Sequence, residues 1–281
     1  MKKCIVIIAT QNIRETLYSR ALKSIREQTI KPKQIIIIND NIPFSDQQKK
    51  KISSILDKNE YEILSNNYTK GVAGAWNSAL KYISTLSYNG YIAILDDDDE
   101  WDKNHLELNL RIAQIESSDV VVSGLRIIKD GIHLSRKLPN QLLPKHFLIG
   151  NPGWQGSNTF VSMKVFKMVK GFRNGLLSTN DRDLAFRILC LSNIKISYTN
   201  RWTSTWYIDS KYKSLSSSKS ESKLEGLRWF WYIYNSYFDE KDRNVFFERA
   251  WKLFKITKKN IIMIEKNKPK QKNLFGDLDV I

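Results

Sequence analysis

Four consecutive carboxylates, Asp96 to Asp99 in "AILDDDDEWD", follow an apolar run and precede a tryptophan. Adjacent ionised carboxylates repel, so such a run needs solvent, a proton or a cation to relieve it. A solvated acidic turn meets that need. A hard divalent cation meets it too, because Mg2+ or Mn2+ prefers oxygen ligands and typically takes one or two carboxylates, leaving the rest of its shell to phosphate and water. The run alone leaves both readings open. Its surroundings favour a metal–diphosphate site, since it closes a buried-type strand and other polar groups close the neighbouring strands.

Those groups are Thr10 and Asn12 after "CIVIIA", Asp40 at the end of "IIIIND", and Gly71 where "NNYTKGVAGAWN" enters a helix that carries Asn77. A helix N-terminus offers free N–H groups and a positive dipole end, and a glycine there lets a ligand approach the backbone. An ordinary turn glycine would look the same. Further along, "NPGWQGSN" offers Trp154 as a stacking face and Gln155, Ser157 and Asn158 as hydrogen-bonding groups, residues that the resemblance given below would assign to an acceptor wall; a loop tryptophan can equally be a lid on the core.

The elements that must position these residues follow from hydrophobic period. Short β-branched runs at 4–9, 34–39, 61–64, 91–95 and 119–123 alternate with helical spacing at Leu17, Ala21, Leu22 and Ile25, and at Val72, Ala75, Ala79, Leu80 and Ile83. The first four runs are nearly all apolar, as expected of strands covered on both faces. The order βαβαβαβ predicts an α/β fold, a Rossmann-like, mostly parallel sheet flanked by helices. Ligands of such sheets bind beyond the carboxyl ends of the strands, where the polar groups above lie. Residues 138–160 read as long loops, and 180–191 as a helix capped by Ser178, Thr179 or Asn180.

The chain has 281 residues, 42% hydrophobic, with a formal net charge of +16. That charge suits a nucleic-acid binder, a protein lying on anionic lipid, or an enzyme of polyanionic substrates. Acids gathered at strand ends would repel nucleic-acid phosphate, so no nucleic-acid partner is expected. Nucleotidyl transfer on a similar sheet would call for a Gly-rich basic loop after the first strand, which "ATQNIRE" lacks. Cys4 and Cys190 match no disulfide or metal pattern and read as buried free thiols. His105, His133 and His146 read as surface or loop residues. The opening apolar run is too short for a signal peptide, and no stretch approaches the roughly 18 to 20 apolar residues of a membrane span. A cytoplasmic location is expected. Residues 211–281 read as a flexible loop followed by a basic, amphipathic C-terminal helical extension. There Lys252, Lys255, Lys258 and Lys259, with Trp251 and Phe254 between them, either form a solvated face over a core contact or touch the inner face of the cytoplasmic membrane.

In order and spacing, these motifs resemble the family-2 glycosyltransferases with the GT-A fold. The opening strand, turn and helix look like "IVIIATQN" and "RALKSIREQT", and the second strand ends like "IIIIND". The family's N-x-G-V-S-A-A-R-N is matched by "NYTKGVAGAWN", with Gly71, Val72, Ala75 and Asn77 in register. Its D-x-D-D is matched by Asp96, Asp98 and Asp99 with Trp101 following, and its E-D-x-D-L-x-x-R is similar to "NDRDLAFR", so the likeness runs from about residue 4 to 187. Departures are Ala9 for the usual proline, Ile13 splitting the Asn–Arg pair, Asn180 for the usual glutamate, and no histidine near "TSTWYIDSKYKSLS", which leaves Asp209 or nothing as a third metal ligand.

The resemblance implies a GT-A catalytic domain over 1–210, with a nucleotide-sugar half (1–123) and an acceptor half (124–210). It implies donor contacts from Thr10, Asn12, Arg14, Asp40, Gly71, Asn77, Asp96 and Asp98, and Mn2+ or Mg2+ on Asp98 and Asp99. Asp181 is the implied base, with Asp183 as the alternative; the same acids could simply cap their helix. The expected reaction moves a sugar, with inversion, from a nucleotide diphosphate (UDP favoured) to a glycan or lipid-linked acceptor in cell-surface polysaccharide or lipopolysaccharide synthesis.

Overall fold

The computed structural model describes residues 3–40, 43–209 and 220–262. Its sheet is built from β1 (Cys4–Thr10), β2 (Gln34–Asn39), β3 (Tyr61–Ser65), β4 (Tyr91–Ile94), β5 (Glu100–Trp101), β6 (Val120–Lys129), β7 (Ile132–Leu134), β8 (Thr159–Ser162) and β9 (Ile196–Ile208). The strand order is β3-β2-β1-β4-β8-β6-β9-β5, with β7 paired to β6. β1 to β4 are mutually parallel, as the βαβ pattern requires. β8 then enters antiparallel between β4 and β6. The strand expected at 119–123 runs on to Lys129 because β9 pairs with its whole length, across a bulge at Gly124.

The alternating side-chain directions of a strand explain the all-apolar runs. Ile5 and Ile7 of β1, Ile36 and Ile38 of β2, and Ile92 and Ile94 of β4 enter one core. Cys4, Val6 and Ile8, then Ile35 and Ile37, then Tyr91 and Ala93 enter the opposite one. α3 (Val72–Thr85), α6 (Met163–Val169) and α7 (Asn180–Leu189) cover the first face. The π turn Leu17–Leu22 leading into α1 (Lys23–Arg26), α2 (Asp46–Ser53) and α4 (His105–Ile115) cover the second.

α5 (Pro144–Ile149) interrupts the predicted long loop. α8 (Glu221–Tyr234), α9 (Glu240–Phe254) and α10 (Lys258–Ile262) place Leu227, Phe230, Tyr234, Phe246, Phe247, Ile256 and Ile261 in the same core as the sheet. They are part of the body of the protein, not an appendage to it. Of the polar stretch "SLSSSKSESK" (214–223) predicted to be flexible, Ser220 to Lys223 form the cap and first turn of α8; the residues before Ser220, and the tail after 262, lie outside the described residues. Two assignments are corrected. His105 is fully buried, stacked on Trp101 at 4.4 Å and hydrogen-bonded through Nδ1 to Thr203 Oγ1 at 2.8 Å. Cys190 is exposed, because α7 ends at Leu189 and the thiol falls beyond its apolar face; Cys4 is buried, and both are free.

Candidate active site

The carboxyl ends of β1, β2 and β4 open into a cavity of about 590 Å3. Its lining includes Thr10, Gln11, Ile13 and Arg14 after β1, Asp40 after β2, Lys70 to Val72 and Trp76 at the start of α3, and Asp96, Asp97 and Asp98 after β4. Across the opening stand Gln155, Leu177 to Asp181, Trp206 and Ser222.

Gly71 shows why α3 begins where it does. Its φ of 125° is open to glycine and strained for other residues, and its N–H donates to both oxygens of Asp40, at 2.9 and 3.0 Å. Asn66 Nδ2 donates to the same carboxylate at 2.5 Å. Asp40 is therefore held at the cavity edge by two elements.

The acidic turn divides its four carboxylates. Asp96, Asp97 and Asp98 line the cavity; Asp99 does not. Asp99 is buried, accepting from Ser157 Oγ at 2.5 Å and from the Tyr207 N–H at 3.0 Å, which ties the acidic turn to the short turn before β8 and to β9. Asp99, expected to bind metal, is instead turned away from the cavity, with its oxygens accepting hydrogen bonds on the far side of the turn. Asp97, the variable position of the motif, lines the cavity and accepts from Thr10 Oγ1 at 2.5 Å. Asp98 pairs with Arg14, and Arg20 donates to the Asp98 carbonyl at 3.2 Å from the π turn.

Burial and the charge of Asp97 push Asp96 up to about 6, and burial raises Asp97. Oxygen donors crowded in this way suit a hard cation, which would relieve their repulsion. Among the described residues no group of three or more His, Cys, Asp or Glu could hold a metal by itself. The donor set therefore fits a cation that also draws on a ligand's phosphates.

Gly156 joins the two sides of the cavity. A Cβ at this position would come within 2.8 Å of Asp96 Oδ1, so only glycine admits the carboxylate this close. The Gly156 backbone also bears on Asp181, lowering its pKa, and the charges of Asp96 and Asp181 act on each other. Burial, then Asp96, raise Asp181 to about 7 against the opposing influence of Lys223. A carboxylate poised there can accept a proton near neutral pH.

Asp183, the alternative base, is excluded by its contacts. It is buried against Arg173 Nε at 3.0 Å, Arg187 Nη2 at 2.8 Å and Tyr234 Oη at 2.7 Å. Although burial alone would raise its pKa, Arg187 and Arg173 outweigh it and the net shift is downward. Four other expected contacts are corrected likewise. Asn77 is fully buried, with its amide bonded to both the Phe172 N–H (2.8 Å) and carbonyl (2.9 Å). Asn12, at φ 59°, turns its amide to Gln48 at 2.9 Å, so Gln11 and Ile13 line the cavity instead. Trp154 is 1% exposed and donates its indole N–H to Thr159 Oγ1 at 3.0 Å, as a lid on the core. Ser157 is fully buried beneath the acidic turn, where its Oγ accepts from the Asp96 N–H at 3.1 Å and donates to Asp99. Of the predicted acceptor residues, Gln155 lines the cavity.

The α8 contribution lay outside the sequence reading. Lys223 Nζ reaches Ser178 Oγ at 3.2 Å, Gly226 packs so closely on Ser178 that a Cβ would come within 2.8 Å, and Tyr234 holds Asp183. These contacts clamp Thr179, whose φ of 68° is unfavourable for a β-branched residue, two residues before Asp181. The polar glycine-containing start of α8 was the available signal, but only packing shows what it presses against.

A family model, glycosyl transferase family 2, matches residues 5–171. The chain belongs to this family. It is 26% identical over 242 residues to Escherichia coli WfgD, named a UDP-Glc:alpha-D-GlcNAc-diphosphoundecaprenol beta-1,3-glucosyltransferase, covering 86% of this chain and 89% of that protein. WfaP of Escherichia coli, which bears the same activity name, is 34% identical over 125 residues, 44% of this chain and 47% of that one. A solved structure of S. aureus TarS 1-349 in complex with UDP-GlcNAc superposes with a TM-score of 0.66 at 18% identity, covering 98% of this chain and 80% of TarS. The family-2 glycosyltransferase has the GT-A fold, a mixed α/β architecture with helices on both faces of the sheet.

Proposed function

We propose that this glycosyltransferase moves a sugar from a UDP-sugar to a hydroxyl of a lipid-linked acceptor in polysaccharide synthesis, with inversion at the anomeric carbon. The carrying observation is a single cavity in which Asp181, raised to about 7, faces the Asp96–Asp98 turn. The acceptor names of WfgD and WfaP support the lipid-linked diphosphate class.

Asp40, with Gly71 behind it, is placed to accept from the nucleotide base, and Thr10 and Arg14 shape the adjoining wall. Asp98, assisted by Asp96 or Asp97, would hold Mn2+ or Mg2+. Such a cation, when bound, neutralises charge on the leaving diphosphate. Asp181 takes the proton from the acceptor hydroxyl as that oxygen attacks the anomeric carbon. With Asp181 acting from the side opposite the leaving diphosphate, displacement would be in line and the configuration would invert. Gln155 and Trp206 border the acceptor side.

No described helix is long and apolar enough to cross a membrane. Trp251 (53% exposed) and Leu253 (44%) stand beside exposed Lys252 and Lys255 at the end of α9, a surface suited to lying on the inner face of the cytoplasmic membrane. Calorimetry with a panel of nucleotide sugars, with and without Mn2+ and against an oligonucleotide control, tests the donor assignment. NMR of the product anomer tests inversion, and retention would overturn the in-line role of Asp181.

A further inference from the structure

On the acceptor side, cations gather around the segment that follows α5. Arg182 donates from Nε and Nη2 to the carbonyls of Phe147 and Leu148 and stacks on Phe230 at 3.8 Å. Arg249 of α9 lies over Gly150, where a Cβ would meet its Nε at 2.8 Å. Arg136 donates to the Asn151 carbonyl at 3.2 Å and lies against Gly153, its Nε 3.6 Å from a Cβ built there. Lys223, bonded to Ser178 of the cavity wall, completes the group and is buried like Arg182.

Among the described residues, none of these four cations has a carboxylate within ion-pair distance. The contrast with Arg173 and Arg187, which share Asp183 nearby, is direct. The four also act on one another. Burial and the charge of Arg249 lower Arg136 and Arg182, while burial, Arg182 and Arg249 lower Lys223 to about 8, with Asp181 opposing. Cations crowded without counter-charge are costly in a protein interior. A multiply charged anion with forked oxygens relieves them, and guanidinium groups are the side chains best shaped to grip it.

We propose that Arg136, Arg182, Lys223 and Arg249 form a diphosphate-binding subsite, separate from the donor diphosphate at the acidic turn, that holds the diphosphate linking an acceptor sugar to its lipid. This rests on the lipid-linked acceptor reading above. Arg182 and Lys223 anchor the subsite in the wall beside Asp181, so the first acceptor sugar is directed at the base. Arg136 and Arg249, more exposed, close on the phosphates from the loop and from α9. The subsite would then select acceptors by their diphosphate before any sugar hydroxyl is tested.

The probe is inorganic pyrophosphate, titrated calorimetrically into the full chain with UDP saturating the donor site. Wild type should bind it, and Arg136→Gln and Arg249→Gln should each weaken it about tenfold. UDP affinity should be the same in wild type and both arginine variants, which also reports that they fold. Arg249→Lys should bind with intermediate affinity, keeping charge without the fork. Equal pyrophosphate affinity in the Arg136→Gln/Arg249→Gln double variant, or its loss from wild type once UDP is present, overturns the subsite. So does a double variant that loses only its binding to phosphatidylglycerol vesicles over phosphatidylcholine ones, which would mark a bilayer headgroup contact. Failure of wild type to bind any nucleotide sugar would instead defeat the sugar-transfer reading, and the pyrophosphate result would stand apart from it.

Discussion

The acidic turn after β4 and the first turn of α7 each contain one carboxylate tied into the fold, beside three that face the cavity in the first case and one, Asp181, in the second. Their tied members behave oppositely. Asp99 is buried against neutral donors, Ser157 Oγ and the Tyr207 N–H, and its carboxyl is raised well above the usual range by burial and by Asp96. Asp183 is buried as deeply but meets two guanidinium groups and is lowered. The charge of the partner, not depth, sets the direction of the shift. Asp181, two residues before Asp183, is opposed among the described residues by one cation, Lys223, and has an acidic turn in front of it, so it remains up at about 7.

The largest way to break this contrast is Asp181→Asn, expected to reduce transfer by roughly 10^3-fold with UDP binding retained, by analogy with loss of a general base. Single-turnover assays with calorimetry check it. Next is Asp183→Asn, which leaves Arg173 and Arg187 facing a neutral group and should cost about 3–5 kcal/mol in denaturant unfolding. Asp99→Asn, with only neutral donors to disturb, should cost about 1 kcal/mol in the same experiment. Equal losses for the two would refute the distinction between charged and neutral partners.

The two carboxylates of α7 also predict opposite pH behaviour. Asp181 works ionised, so kcat/KM should fall as pH drops through about 7, and this acid limb should vanish from the residual activity of Asp181→Asn. Asp183 has a folded-state pKa below its unfolded value. Its contribution to stability is therefore full above the unfolded carboxylate pKa, about 3.9, and is lost as pH falls through the lower folded value. Unfolding followed against pH should show that loss in wild type and its absence in Asp183→Asn. The smallest effect is expected of Gly71→Ala, which meets no atom within 4 Å but must hold φ near 125°, and so should cost about 1 kcal/mol by strain alone.

Much of the donor half was legible because its signals are local. Four consecutive isoleucines in β2 can only be a strand covered twice, and Asp40 directly after β2 must then stand at the sheet's carboxyl edge. The same logic placed Thr10, Gly71 and Asp96. It failed for Asn77, Asn12, Trp154 and Ser157, whose positions along the chain are near the site but whose side chains turn away to buried partners. Nothing in "GVAGAWN" announces that Asn77 will bind the backbone of Phe172, 95 residues later.

By itself, the sequence determined the parallel core, the polar ends of its strands and the acidic turn, because hydrophobic period and strand-end position are properties of neighbouring residues. Only the tertiary structure decided which acid of each cluster is free to act. That choice depends on Ser157 and Tyr207 reaching Asp99, on Arg173 and Tyr234 reaching Asp183, and on α8 closing over Asp181. Each partner lies elsewhere in the chain, and a carboxylate's pKa responds to the groups around it in space.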